Sequence, residues 1–163
     1  MEYLVSAEEM RRADHCVIEE YGVTSLVLME RAALASVELM GREGFDLSRV
    51  LVVSGSGNNG GDGWVCGRAL AQAGWPVALA CPRPPEQLSA ETARTAALEA
   101  VTAAGAHGWP FSVLVAPTPE ELSREFDRAS GVVDAILGTG FSGMQVREPY
   151  ATWIQLANRR RFR

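Results

Sequence analysis

The chain has 163 residues, 47% hydrophobic and 21% charged, with a formal net charge of -5. That length suits a single domain with one core, and the composition excludes disordered and collagen-like classes. A negative chain has no general attraction to nucleic acid or anionic lipid, the basic cluster Arg159, Arg160, Arg161 and Arg163 being local. In chain order, Ser6 and Glu9 form a capping-box pattern before the helically spaced Met10, Ala13, Val17 and Ile18, which predicts a first helix ending near Gly22. Thr24 caps a second helix over Leu26 to Met40, apolar on so many sides that it should be substantially buried. Short apolar runs then predict strands at Val50 to Val53, Val77 to Ala80, Val113 to Val115 and Val132 to Leu137. Helices are expected between them at about Gly63 to Ala73, Ser89 to Ala104 and Pro119 to Ala129, with Ser89 and Thr118 as caps, and a last one near Glu148 to Asn158.

Cys16, Cys66 and Cys81 lack C-x-x-C spacing, so neither a disulfide framework nor a zinc cluster is expected. Met1 to Met10, with Glu2, Glu8 and Glu9, reads as neither a secretory signal nor a transit peptide. No run approaches the roughly 20 apolar residues of a membrane span, and the cytoplasm follows by elimination. His15 and His107 stand far from any motif, and Trp64, Trp75, Trp109 and Trp153 read as core or interface filling.

Strands alternating with helices imply a mostly parallel, doubly wound α/β sheet, a Rossmann-like three-layer sandwich preceded by two helices. With strand order 3-2-1-4, the first and fourth strands are neighbours, and ligands bind in the crevice beyond their carboxyl ends. The two most glycine-rich loops follow those strands.

The first runs Ser54-Gly55-Ser56-Gly57-Asn58-Asn59-Gly60-Gly61-Asp62-Gly63. Gly55, Gly57 and Gly60 match the dinucleotide fingerprint G-x-G-x-x-G, but Cys81-Pro82-Arg83-Pro84 stands where an acidic ribose partner belongs, and Asp62 would repel a pyrophosphate. No Lys followed by Ser or Thr closes the run, which excludes a Walker loop. The oxygens of Asn58, Asn59 and Asp62 suit a hard cation or the polar groups of a nucleotide. The plainer alternatives are a tight turn that binds nothing, with Asn58 and Asn59 in left-handed turns and Asp62 capping the helix. Asp134, inside the fourth strand, is costly to bury unless paired or cation-bound; otherwise it points from an exposed strand end or bonds a loop amide.

Gly57-Asn58-Asn59-Gly60-Gly61-Asp62-Gly63-Trp64-Val65 is similar to the G-N-N-G-G-D-G-x-V signature of the NAD(P)HX epimerase family, which also forms the amino-terminal half of bifunctional NAD(P)HX repair enzymes. Val133-Asp134-Ala135-Ile136-Leu137-Gly138-Thr139-Gly140 resembles its second signature, V-D-A-x-x-G-T-G, and Ser6 to Met10, Asp14 and Ser25 to Ala32 resemble its opening helices. The resemblance implies an isomerase that interconverts the R and S forms of hydrated NADH and NADPH for repair by a dehydratase partner, assisted by potassium. It implies substrate contacts at Asn58, Asn59, Gly60, Gly61 and Asp62, and at Gly138, Thr139, Gly140, Phe141, Ser142, Gly143 and Met144. Asn59 and Asp134 match its potassium ligands.

The family continues into a D-x-P-S-G-L motif whose Asp touches substrate and whose Ser completes the cation site, and no Asp-x-Pro-Ser-Gly occurs here. The expectation is a single epimerase-like domain over residues 1 to 163 lacking its carboxy-terminal part, either a fragment or a degenerate relative. Activity is then impaired, and Asp62 is a weak stand-in acid whose position at a helix start should lower its pKa. A nucleotide-binding or scaffolding module of the same fold is the alternative. The open edge of the fourth strand should invite self-association, so a homodimer is also expected.

Overall fold

The structure is a computed structural model that describes residues 5–143 and 145–160. Four parallel strands, β1 (Val50–Ser54), β2 (Val77–Cys81), β3 (Phe111–Val115) and β4 (Gly131–Ala135), form one sheet in the order β3-β2-β1-β4. The expected order is the observed one. Helices α1 (Ala7–Tyr21) and α2 (Ser25–Arg42) precede β1, and α3 (Asn58–Gln72), α4 (Glu91–His107), α5 (Pro119–Arg128) and α6 (Tyr150–Arg159) follow, with a short 3-10 turn at Pro85–Gln87.

Alternation along the strands makes the layers. Val50, Val52, Val77 and Leu79 face Met29, Trp64, Leu70 and Ala96 of α2, α3 and α4. Leu51, Val53, Ala78 and Ala80 face Leu122, Phe126 and Trp153 of α5 and α6. Successive strand residues point to opposite faces, so near-continuous apolar strands require helices on both sides. Arg49 ties the start of β1 to Glu125 of α5 at 2.8 Å.

Several local expectations need correction. Met29 and Ala33 are the fully buried residues of α2, and Val27, Leu34 and Leu39 are exposed, because only one side of this helix meets the sheet layer. Ser89 does not cap α4: Ala90 holds that position, and the Ser89 hydroxyl donates to the Ser56 carbonyl at 2.8 Å. Thr118 does cap α5, in a full capping box with Glu121. Trp64 and Trp153 fill the core and Trp109 packs against its margin while stacking on His107 at the end of α4, but Trp75 is exposed. Arg160 pairs with Asp127, whereas Arg161 and Arg163 lie outside the described residues.

The largest difference concerns α3, which begins at Asn58 rather than Gly63. Three glycines in its first six residues argue against a helix on propensity, since each costs about 1 kcal/mol relative to Ala. Close packing decides otherwise: a Cβ on Gly60 would lie 2.0 Å from the Gly55 carbonyl oxygen, and one on Gly55 would lie 2.2 Å from that of Ile136. Left-handed turns at Asn58 and Asn59 are therefore ruled out, and the glycines of this segment serve approach rather than positive φ.

Candidate functional site

β1 and β4 lie side by side in parallel register, so the segments leaving their carboxyl ends emerge together. The Gly55 amide donates to the Ala135 carbonyl at 2.9 Å, which extends the pairing one residue past β1. The buried Ser54 hydroxyl lies 2.9 Å from the Gly55 carbonyl and 3.1 Å from that of Gly60, pinning the turn into α3. Gly57 caps α3 without a side-chain hydrogen bond, so first-turn amides present their positive end to the crevice.

The second segment closes over the first. Asn59 donates through Nδ2 to the Leu137 carbonyl at 3.2 Å, and a Cβ on Gly138 would lie 2.9 Å from Asn59 Cβ. Between the segments lies a cavity of about 1120 Å³ lined by Asn58, Asn59, Asp62, Gly138, Thr139, Gly140 and Phe141, together with residues of α1 and α6 and Ser89 just before α4. Ser142 and Gly143 instead line an adjoining cavity of about 650 Å³, which shares Leu137, Gly140, Phe141 and Tyr150 with the first. Gly60 and Gly61 are buried behind the first turn of α3, and Met144 lies outside the described residues.

Sequence reasoning missed Arg11, Ser56, Ser89 and Tyr150, which also line the large cavity, and it attached no role there to Asp14. The Tyr150 hydroxyl donates to Ser56 Oγ at 3.2 Å, and Arg11 Nη2 donates to the Thr139 carbonyl at 3.4 Å. Partners 94 and 128 residues apart carry no local signal; only the pairing of β4 with β1 brings their neighbourhoods together.

Asp62 behaves contrary to expectation. It stands in the second turn of α3, caps nothing, and partial burial pushes its carboxyl up to about 6. Desolvation wins because α3 starts five residues earlier than expected, at Asn58 rather than Gly63, which moves Asp62 away from the helix end. A carboxyl of that kind can donate or accept a proton near neutral pH. Burial, then the Asp62 charge, raises the Cys66 thiol to about 11, and burial raises Cys81 to about 11, so neither is a nucleophile near neutrality.

Asp134 is exposed, because β4 is an edge strand, and its Oδ1 accepts from the Ile136 amide at 3.0 Å. Asp134 therefore bears no burial cost that a cation would have to offset. Among the described residues no three His, Cys, Asp or Glu side chains cluster as a metal site would require. Yet Asn59, Asp62 and Asp134 line one cavity of about 240 Å³, and the Asn59 amide nitrogen is spent on Leu137, leaving its oxygen as the group to offer. Amide and carboxylate oxygens of this kind fit a hard cation.

A sequence profile described as YjeF-related protein N-terminus matches residues 25–162. The chain belongs to this family. Among YjeF-related relatives, the NAD(P)H-hydrate epimerase of Lentilactobacillus buchneri is 34% identical over 159 residues, 97% of this chain and 67% of that protein. The NAD(P)H-hydrate epimerase of Weissella koreensis is 57% identical over 75 residues, 46% of this chain and 34% of the relative. The crystal structure of yeast ynu0, YNL200c, superposes with a TM-score of 0.75 at 24% identity, covering 97% of this chain and 65% of that one, which shows the shared fold. The chain thus spans between a third and two-thirds of the length of these proteins.

Proposed function

We propose that this YjeF-related chain acts on hydrated NADH and NADPH as an epimerase, interconverting their R and S forms so that a dehydratase partner specific for one epimer can repair both. The observation that carries the proposal is the convergence of the two glycine-rich segments on one cavity, with the open amides of α3 on one side and Gly138 to Phe141 on the other. Backbone donors at a helix start suit a pyrophosphate, and the cavity has room for the nicotinamide ring beside it.

The hydrate carries a hydroxyl on a carbon next to the ring nitrogen. Protonation of that hydroxyl lets the nitrogen lone pair expel water, and the resulting planar cation takes water back on its other face with loss of a proton. Asp62, pushed up to about 6 by burial, is the group within the described residues able to deliver and recover that proton near neutral pH. Potassium belongs to the same reading: Asn59 and Asp134 would hold it, and when bound it supplies positive charge beside the substrate. Three cysteines outside any disulfide, among the described residues, fit a reducing, cytoplasmic location.

The test mixes R and S hydrates with the protein and follows their exchange by chromatography against the spontaneous rate, with binding of NADPH measured on the same sample. Faster exchange supports an epimerase. Binding without exchange would reassign the chain to a nucleotide-binding module of the same fold, and neither binding nor exchange would overturn the proposal.

A further inference from the structure

α1 has a full capping box and a glycine stop but no fully buried residue, so the core gains little from it. It nevertheless reaches the crevice. Arg11 and Asp14, one helical turn apart, share a face and line the large cavity. Arg11 spans from α1 to the second glycine-rich segment, where it donates to the Thr139 carbonyl.

The charges around the cavity make this arginine stand out. Among the described lining residues Arg11 is the one with a permanent positive charge, facing the carboxyl groups of Asp14 and Asp62. No described carboxylate forms an ion pair with it, and its bond to Thr139 is long at 3.4 Å, so most of its five donors remain for a ligand. A ligand with a pyrophosphate brings two negative charges into a space whose other charged groups are acidic. The amides of α3 offer partial charge only. A guanidinium that can turn its planar fork onto phosphate oxygens supplies the missing counter-charge.

We infer that Arg11 is a substrate-contacting, specificity-determining residue, whose guanidinium binds the phosphate oxygens of the dinucleotide and thereby fastens α1 across the crevice to the Thr139 segment. This rests on the proposed dinucleotide substrate, but the anion contact can be tested without it. A purely structural role, as a tether for α1, predicts a different result.

Arg11→Ala and Arg11→Lys are compared with the unaltered protein by calorimetric titration with NADPH, inorganic pyrophosphate and reduced nicotinamide riboside, which lacks phosphate, and by thermal melting. The expected result is that Arg11→Ala weakens NADPH and pyrophosphate binding by roughly tenfold or more. Nicotinamide riboside binding and the melting midpoint should stay the same, and Arg11→Lys should recover part of the loss. Equal weakening for all three ligands, or a lowered midpoint with unchanged phosphate affinity, would make Arg11 a tether and overturn the inference. Arg11-dependent pyrophosphate binding without NADPH binding would uphold the anion contact while the dinucleotide reading fails. Absence of pyrophosphate and NADPH binding in the unaltered protein would sink both.

Discussion

The two glycine-rich segments border one cavity and follow neighbouring strands, yet they are built on opposite terms. At Gly55 and Gly60 the chain is locked: carbonyls of Ile136 and Gly55 sit where a Cβ would have to go, and the Ser54 hydroxyl is sealed inside. From Gly138 to Gly143 the residues are exposed, and although a Cβ on Gly138 would lie 2.9 Å from that of Asn59, one on Gly140 would meet nothing within 4 Å. The first segment is thus anchored in the core at Gly55 and Gly60 while Gly57 and Asn58 face the cavity, whereas the second lies on the surface beyond β4. Similar composition has produced a tightly packed wall and an open one.

The sharpest way to break this contrast is to add one methyl to each wall. Gly60→Ala, with its Cβ 2.0 Å from a backbone oxygen, should cost about 3 kcal/mol or prevent folding, whereas Gly140→Ala should change stability by less than about 0.5 kcal/mol. Urea unfolding of both variants checks this, and equal losses would abolish the distinction. Ser54→Ala leaves the Gly55 and Gly60 carbonyls without that hydroxyl and should cost about 1 to 2 kcal/mol on the same measurement.

A smaller effect concerns pH. Asp62 binds its proton more tightly in the folded chain, at about 6, than at its ordinary 3.8, so folding is favoured at low pH and this contribution is lost as pH rises between those values. Asp62→Asn should remove that slope and raise stability at pH 7 by about 1 kcal/mol, after allowance for solvent screening at a partly exposed site. Parallel pH–stability curves for the two proteins would contradict the assigned burial effect. The smallest expected change is a potassium-dependent rise in melting midpoint that Asp134→Ala abolishes. A midpoint that responds equally to potassium in both proteins would remove Asp134 from the cation site.

The strand order was readable because Val50 to Val53, Val77 to Ala80 and their partners are apolar runs of strand length, and helices between them leave few topologies. The switch point, and hence the meeting of Asn58 to Asp62 with Gly138 to Phe141, followed from that order alone. The start of α3 was hidden because Gly60, Gly61 and Gly63 are poor helix formers required by their close approach to Gly55, Met29 and Ala135. The exposure of Asp134 depends on what lies beside β4, and the positions of Arg11 and Tyr150 depend on packing between elements far apart in the chain.

The cysteines divide the molecule in a way that can be read with a reagent. Cys66 donates to the Ala33 carbonyl inside the packed layer, and Cys81 to the Leu114 carbonyl at the sheet, while Cys16 on α1 is half exposed. A thiol-labelling agent will therefore modify Cys16 in the native protein and reach the other two only when the structure opens, so their labelling times the breathing of the core. The same three residues act as an internal clock, set by where the chain folded rather than by any probe added to it.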